Sequence, residues 1–168
     1  MSSTLSKLAA IVATALVLVS CKGEGGLRSK VGVGDLAPKS ENRVVVRDED
    51  WHTVSTMDTK VRLYRWRIAD LIEQHKPFLV VFGTPQHCTM CVDQLTRVAV
   101  MEEKYGERFA FVHVDGYKDS AVWVEWGVKG EPWTFLVDAK GVVRKVFPGQ
   151  TELPLIEGEI ESLLKEAA

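Results

Sequence analysis

The chain has 168 residues, 46% of them hydrophobic and 26% charged. That length suits one domain, and that composition suits a globular protein rather than a disordered one. With 21 basic against 23 acidic residues and a net charge of −2, it lacks the basic excess of an electrostatic nucleic-acid binder. Beyond the N-terminus no stretch approaches the roughly 18 uncharged apolar residues of a membrane span. The three cysteines leave one over from any single pair.

The N-terminus carries its own pattern. After Lys7, residues 8–19 form an uncharged apolar run. At about 1.5 Å per residue such a run gives about 18 Å of helix, too short for a bilayer core of about 30 Å. It matches a signal-peptide core of about 7–15 residues. The next residues, Leu18-Val19-Ser20-Cys21, resemble the lipobox of bacterial lipoproteins. That resemblance implies a signal peptide over 1–20, removed before a lipidated Cys21. A buried structural cysteine and ordinary signal cleavage are the alternatives. Two or three acyl chains anchor far more firmly than one. The polar, Gly-rich stretch after Cys21 reads as a tether over 21–42. Lys22 beside the lipidated position favours the outer membrane under the enteric sorting pattern.

The body is expected over 43–168. Val61 to Arg65 alternates apolar and basic residues, which suits a short strand. Ile68 to His75 suits a helix burying Ile68, Leu71 and Ile72. Pro77 to Phe82 is an unbroken apolar run, the mark of a central strand buried on both faces. Cys88 to Tyr105 reads as a helix with Val92, Leu95, Val98, Ala99 and Tyr105 on its inner face. Phe109 to Val114 is a second buried strand. Ser120 to Trp126 is a short helix that Ser120 is placed to cap. Trp133 to Val137 is a third strand. Asp138 to Gly141 is a turn signal leading into a strand over 142–147. A last helix starts near Thr151, tolerates Pro154 in its first turn, and buries Ile156, Ile160 and Leu163. Strands alternating with helices, then a hairpin and a helix, give an α/β fold. Its central mixed sheet is flanked by helices on both faces.

The chemistry concentrates at Cys88-Thr89-Met90-Cys91. This pair follows a buried strand and opens a helix. Unpaired N–H groups and the positive end of the dipole there favour thiolate over thiol at the first cysteine. A free thiol has a pKa of about 8.5, and two proteins with such pairs have values of about 7 and about 3.5. The second cysteine lies one turn on, close enough to form a disulfide or to resolve a mixed one. Cys88 is therefore the expected nucleophile and Cys91 the resolving cysteine.

Phe78 to Cys91 and Val128 to Val143, with Gly34-Asp35-Leu36-Ala37-Pro38 before them, resemble the thioredoxin superfamily. Within it they are similar to the exported TlpA/ResA-like branch. The resemblance covers roughly residues 33–168. It implies a thioredoxin-like fold and a cis Pro132 lying against the cysteine pair. It also implies thiol–disulfide exchange with protein substrates, fed by a membrane or periplasmic electron donor. Reduction is the favoured direction. No cofactor beyond the Cys88–Cys91 disulfide, no metal and no nucleic acid is implied. The expected setting is the bacterial envelope, lipid-anchored and facing the periplasm, or the outer face of the cell membrane in a Gram-positive cell.

This chain departs from the family pattern in several places. His87 stands where an aromatic residue usually precedes the first cysteine. Strand 78–82 lacks the family's buried acid, and Glu131 immediately precedes Pro132. His87 either supports the thiolate and moves protons or is a solvent-facing loop residue. Glu131 either substitutes as a base or repels anionic substrates. His113 reads as a satisfied core or sheet-end residue. Arg62, Arg65 and Arg67 read as a solvated face. Two other functions compete with exchange. One is a metal-binding or metallochaperone module using Cys88, Cys91 and a histidine, although a structural zinc site wants four ligands. The other is a non-catalytic interaction domain with a structural disulfide.

Overall fold

The computed structural model describes residues 28–46 and 50–166. The signal peptide, Cys21 and the first part of the expected tether lie outside those residues. In chain order the elements are α1 (Trp51–Val54), α2 (Ile68–Glu73), β1 (Phe78–Gly83), α3 (Thr89–Tyr105), β2 (Ala110–Asp115), α4 (Ser120–Trp126), β3 (Trp133–Val137), β4 (Val143–Pro148) and α5 (Leu153–Glu166).

The strands form one sheet in the order β2-β1-β3-β4. β1 runs parallel to β2, with Val80 opposite Val112, and antiparallel to β3, with Val80 opposite Phe135. β3 and β4 pair antiparallel. All six residues of β1 are buried, because successive side chains enter opposite cores. Leu79 and Val81 pack with Leu95, Val98, Met101, Phe111, Ile156 and Ile160 beneath α3 and α5. Phe78, Val80 and Phe82 pack with Ile68, Leu71, Val122, Trp126 and Phe135 beneath α2 and α4. The sheet is mixed and has helices on both faces, as the order of elements implies. Phe82, Trp126 and Phe135 meet with ring centroids 4.8–5.7 Å apart. Such pairs contribute about 0.5–1.5 kcal/mol each beyond their burial.

Four expectations need correction. Residues 61–65 are turns rather than a strand. Leu63 and Tyr64 are consecutive, yet both are buried in the same core cluster, which strand alternation forbids. The segment instead shields the outer edge of β2, where the Leu63 carbonyl accepts from His113 N at 2.8 Å.

The second correction is the tether. From Lys30 to Asn42 the chain is packed rather than free. Gly34 N donates to the Val143 carbonyl at 2.8 Å, Ala37 N donates to the Gly141 carbonyl at 2.8 Å, and Val31 and Ala37 are buried. Asn42 Oδ1 accepts from Ile68 N at 2.7 Å, so this arm caps α2, whose own N-cap residue Arg67 offers no side-chain bond.

Third, the buried stripe of α3 is Cys91, Gln94, Leu95, Val98, Met101, Glu102 and Tyr105. Val92 is 36% exposed. The stripe is rotated by one position, which puts Cys91 into the core. Fourth, Ser120 opens α4 without capping it, and the preceding Asp119 accepts from Arg43 N instead.

α1 has no counterpart among the expected elements, and the others follow the sequence closely. Asp138 Oδ1 accepts from Lys140 N and Val142 N, with Gly141 at φ 75°, closing the expected turn. α5 starts two residues after Thr151, whose N–H is held at 2.7 Å by the buried Gln94 side chain.

Candidate active site

β1 delivers the chain to Gly83, and α3 begins at Thr89. The loop between them is tightened by His87 N and Cys88 N, which both donate to the Thr84 carbonyl. Cys88 is the N-cap residue of α3, and its sulfur accepts from Cys91 N at 3.1 Å. Cys88 and Cys91 form a disulfide. The two sulfurs occupy different environments. Cys88 sits at the helix mouth and is 9% exposed, whereas Cys91 is 0% exposed. Helix-end N–H groups and the dipole of a 17-residue helix favour negative charge at Cys88.

Gly83 makes this packing possible. A Cβ at that position would lie 3.1 Å from Cys91 Cβ, 3.2 Å from its sulfur and 3.6 Å from His113 Nε2. A residue without a side chain lets the strand end, the buried sulfur and the imidazole converge with none of them displaced.

The Glu131–Pro132 bond is cis, and Pro132 is buried at the start of β3. Its neighbour Glu131 turns inward. A carboxylate oxygen of Glu131 and the sulfurs of Cys88 and Cys91 all lie within 4.8 Å of one another. His87 does not stand alone beside the thiols. Its Nε2 is 2.7 Å from Glu131 Oε1 and 3.0 Å from Thr84 Oγ1, and the Thr84 hydroxyl also donates to Glu131 Oε2. The His87 ring packs edge-on against Tyr117. The structure therefore brings together Cys88, Cys91, Glu131 and His87, and adds Thr84 as the hydroxyl that holds the last two.

A second polar network lies beneath the pair. His113 is buried, with Nε2 3.2 Å from the Gly83 carbonyl and Nδ1 hydrogen-bonded to the Tyr64 hydroxyl. A carbonyl only accepts, so neutral His113 carries its proton on Nε2 and Tyr64 donates to Nδ1. Tyr64 Oη lies 2.6 Å from Ser55 Oγ. Burial pushes the His113 pKa down to about 4, against smaller upward pulls from the Asp115 charge and the Gly83 carbonyl. Burial likewise drives the Tyr64 phenol well above its usual value. Asp115 accepts from Thr56 N and Thr56 Oγ1 at 2.7 and 2.6 Å. Thr56 Oγ1 in turn accepts from Gln86 N at 3.2 Å. Gly83 at the start of the cysteine loop is thus held by the buried His113 imidazole, and Gln86 within the loop by the half-buried Thr56 hydroxyl.

Sequence reasoning missed Thr84, Ser55, Thr56, Tyr64 and Asp115. Asp115 carried a readable signal, a lone acid ending an apolar strand. The others carried none. Arg62 and Arg65 also differ from a purely solvated face, since both pair with the buried carboxylate of Glu102 at 3.7 and 3.3 Å. Arg67 pairs with the exposed Glu41.

The sequence family described as thioredoxin-like domain matches residues 64–163. No curated protein matches the chain. Among solved structures, the chain is similar to a point-mutant thioredoxin from Halobacterium salinarum NRC-1. The identity is 21% and the TM-score 0.52, covering 58% of this chain and 82% of that one. The thioredoxin of Fasciola hepatica gives 22% identity and a TM-score of 0.50, covering 56% and 90% of the two chains. The thioredoxin NaTrxh from Nicotiana alata gives 23% identity and a TM-score of 0.50, covering 56% and 78%. At these identities the structures speak to the fold alone. The matched family segment is more than half of the chain and contains Cys88, Cys91 and Pro132. The chain belongs to the thioredoxin-like domain family, and its paired cysteines make it a thiol–disulfide oxidoreductase.

Proposed function

We propose that this oxidoreductase is an exported, lipid-anchored member of the TlpA/ResA-like branch that reduces protein disulfides in the bacterial envelope. The observation that carries the chemistry is the asymmetry of the pair, with Cys88 at the helix mouth and Cys91 fully buried. The Cys88 thiolate attacks a substrate disulfide, forming a mixed disulfide and expelling one substrate thiolate. Cys91 loses its proton and attacks Cys88 Sγ. The Cys88–Cys91 disulfide forms, and the second substrate thiol leaves. Two electrons pass to the substrate, and a membrane or periplasmic donor must return them.

Cys91 has no solvent of its own to take its proton. The Glu131 carboxylate, within 4.8 Å of both sulfurs, is the group placed to accept it. His87, with a side chain 52% exposed, connects that carboxylate to solvent. Pro132 fixes the loop that presents Glu131.

Export and anchoring rest on the apolar run of residues 8–19 and on Leu18-Val19-Ser20-Cys21. Among the described residues no helix is long and apolar enough to cross a membrane. Attachment in this reading depends on the lipid of Cys21. The decisive experiment is trapping with Cys91→Ser in cells. Envelope proteins should accumulate as mixed disulfides on Cys88, and a further Cys88→Ser change should abolish them. A Cys91→Ser protein that captures nothing would defeat the proposal. Metabolic labelling with palmitate, lost in Cys21→Ser, tests the anchor.

A further inference from the structure

Two sulfurs and a carboxylate gathered within 4.8 Å are also a set of metal-ligating donors. In the oxidised state the sulfurs are bonded to each other and have no charge to offer. Reduction changes this. Deprotonation would then place two thiolates beside a carboxylate in a site whose inner sulfur is fully buried. Such a concentration of negative charge is stable only if the groups hold protons or share a cation.

We infer that the reduced protein binds a borderline divalent cation of the zinc type. Cys88 Sγ, Cys91 Sγ and one Glu131 oxygen are its protein ligands, and solvent takes the fourth position. The donor chemistry selects the ion. Hard cations such as magnesium and calcium take oxygen donors, whereas thiolate with carboxylate suits zinc. Three protein ligands with one open position is the arrangement of reactive rather than structural zinc sites. Zn–S bonds of about 2.3 Å and Zn–O bonds of about 2.0–2.2 Å put neighbouring ligand atoms about 3.5–3.8 Å apart. The Glu131 oxygen reaches that spacing by closing on the sulfurs by about 1 Å at most, and reduction frees the sulfurs to move apart from bonding distance to meet it.

The outer contacts complete the site. Glu131 Oε1 is held by His87 Nε2 at 2.7 Å and Oε2 by the Thr84 hydroxyl. Each carboxylate oxygen keeps a second lone pair for a metal. Outer partners of this kind orient ligands and raise metal affinity. No electrons move on binding: two thiols lose two protons to solvent and two metal–sulfur bonds form. Bound metal and the disulfide exclude each other, so zinc holds the pair reduced and blocks exchange. This inference rests on the same cysteine pair as the proposed exchange reaction.

The test is cobalt(II) titration of the reduced full chain under anaerobic conditions. The expected result is one equivalent bound, with a sulfur-to-cobalt charge-transfer band and the visible bands of a tetrahedral site, displaced by zinc. Loss of an outer partner alone typically costs about 10–100-fold in metal affinity. Glu131→Gln removes a ligand and should weaken binding by about 100-fold, with Cys91→Ser abolishing the charge-transfer band. The oxidised protein should bind none. Absence of the band in the reduced wild type, or an affinity unchanged in Glu131→Gln and Glu131→Ala, overturns the site. Disulfide exchange is read separately by reduction of a model protein disulfide in a metal-free buffer. Active exchange without cobalt binding therefore sinks this inference and leaves the oxidoreductase reading intact.

Discussion

Acidification should loosen this domain through one residue, His113. The imidazole is 1% exposed, and its two nitrogens face the Gly83 carbonyl and the Tyr64 hydroxyl. Asp115 is the charge that favours its protonation, and burial outweighs it, lowering the pKa from 6.5 to about 4. As pH falls below about 6.5 the unfolded chain takes up a proton that the folded chain refuses until about pH 4. The unfolded state binds more protons in that window, so stability is full above it and is lost progressively as pH falls through it. At about 1.4 kcal/mol per pH unit the loss is about 3 kcal/mol, a large part of a typical stability of about 5–15 kcal/mol. The assay is urea unfolding followed by tryptophan fluorescence at several pH values from about 7.5 to 4, for wild type and His113→Gln. The variant is expected to be less stable at neutral pH, because Tyr64 loses its acceptor. Its stability should also fall less steeply with acid. Parallel pH dependences for the two proteins would refute the role of His113, since carboxylates common to both would then carry the whole effect.

Packing and charge give three more expectations. Gly83→Ala places a methyl 3.2 Å from the Cys91 sulfur and should cost about 1–3 kcal/mol as an overpacked core, read from the urea midpoint. Glu131→Gln removes a negative charge within 4.8 Å of both sulfurs, worth about 1 kcal/mol even in a water-like dielectric. Cys88 in the reduced variant should therefore react roughly fivefold faster with a neutral alkylating reagent at fixed pH, while disulfide turnover falls for want of a proton acceptor. Gly127→Ala meets a backbone at φ 62° and sets a methyl 2.2 Å from Lys30 Cβ. The left-handed backbone alone costs about 1–2 kcal/mol. The arm over 30–37 should detach, giving faster proteolytic cleavage there than in wild type.

Much of the scaffold was legible because its signals are local. β3 runs from Trp133 to Val137, as its apolar run between turn signals predicts. The apolar runs of β1 and β2 each predict their strand to within a residue or two. The cysteine pair was readable for the same reason, since its chemistry comes from standing between a buried strand and a helix start. The arm over 30–42 was not. Outside the family-like residues 34–38, its Gly and scattered apolar residues read as linker, and the bonds to Ile68, Gly141, Val143 and Trp126, with Val31 and Ala37 buried, make it part of the domain. The phase of α3 was missed because Gln94 and Glu102 are polar yet buried, each held through one oxygen by a partner remote in sequence.

Which atoms are reactive is written along the chain: two thiols three residues apart, one at a helix mouth, after a strand too apolar to be anywhere but the centre of a sheet. What surrounds those thiols is a product of packing. Glu131 reaches His87 across 44 positions, and His113 reaches Tyr64 across 49. Nothing in the local pattern of either partner encodes such a meeting. It arises when β1, β2 and β3 come into register, bringing the ends that bear Gly83, Asp115 and Trp133 to one edge of the sheet. A periodicity repeats over a few residues and can be read along the chain. A polar contact between distant loops exists only once the core has packed and fixed the distance between them.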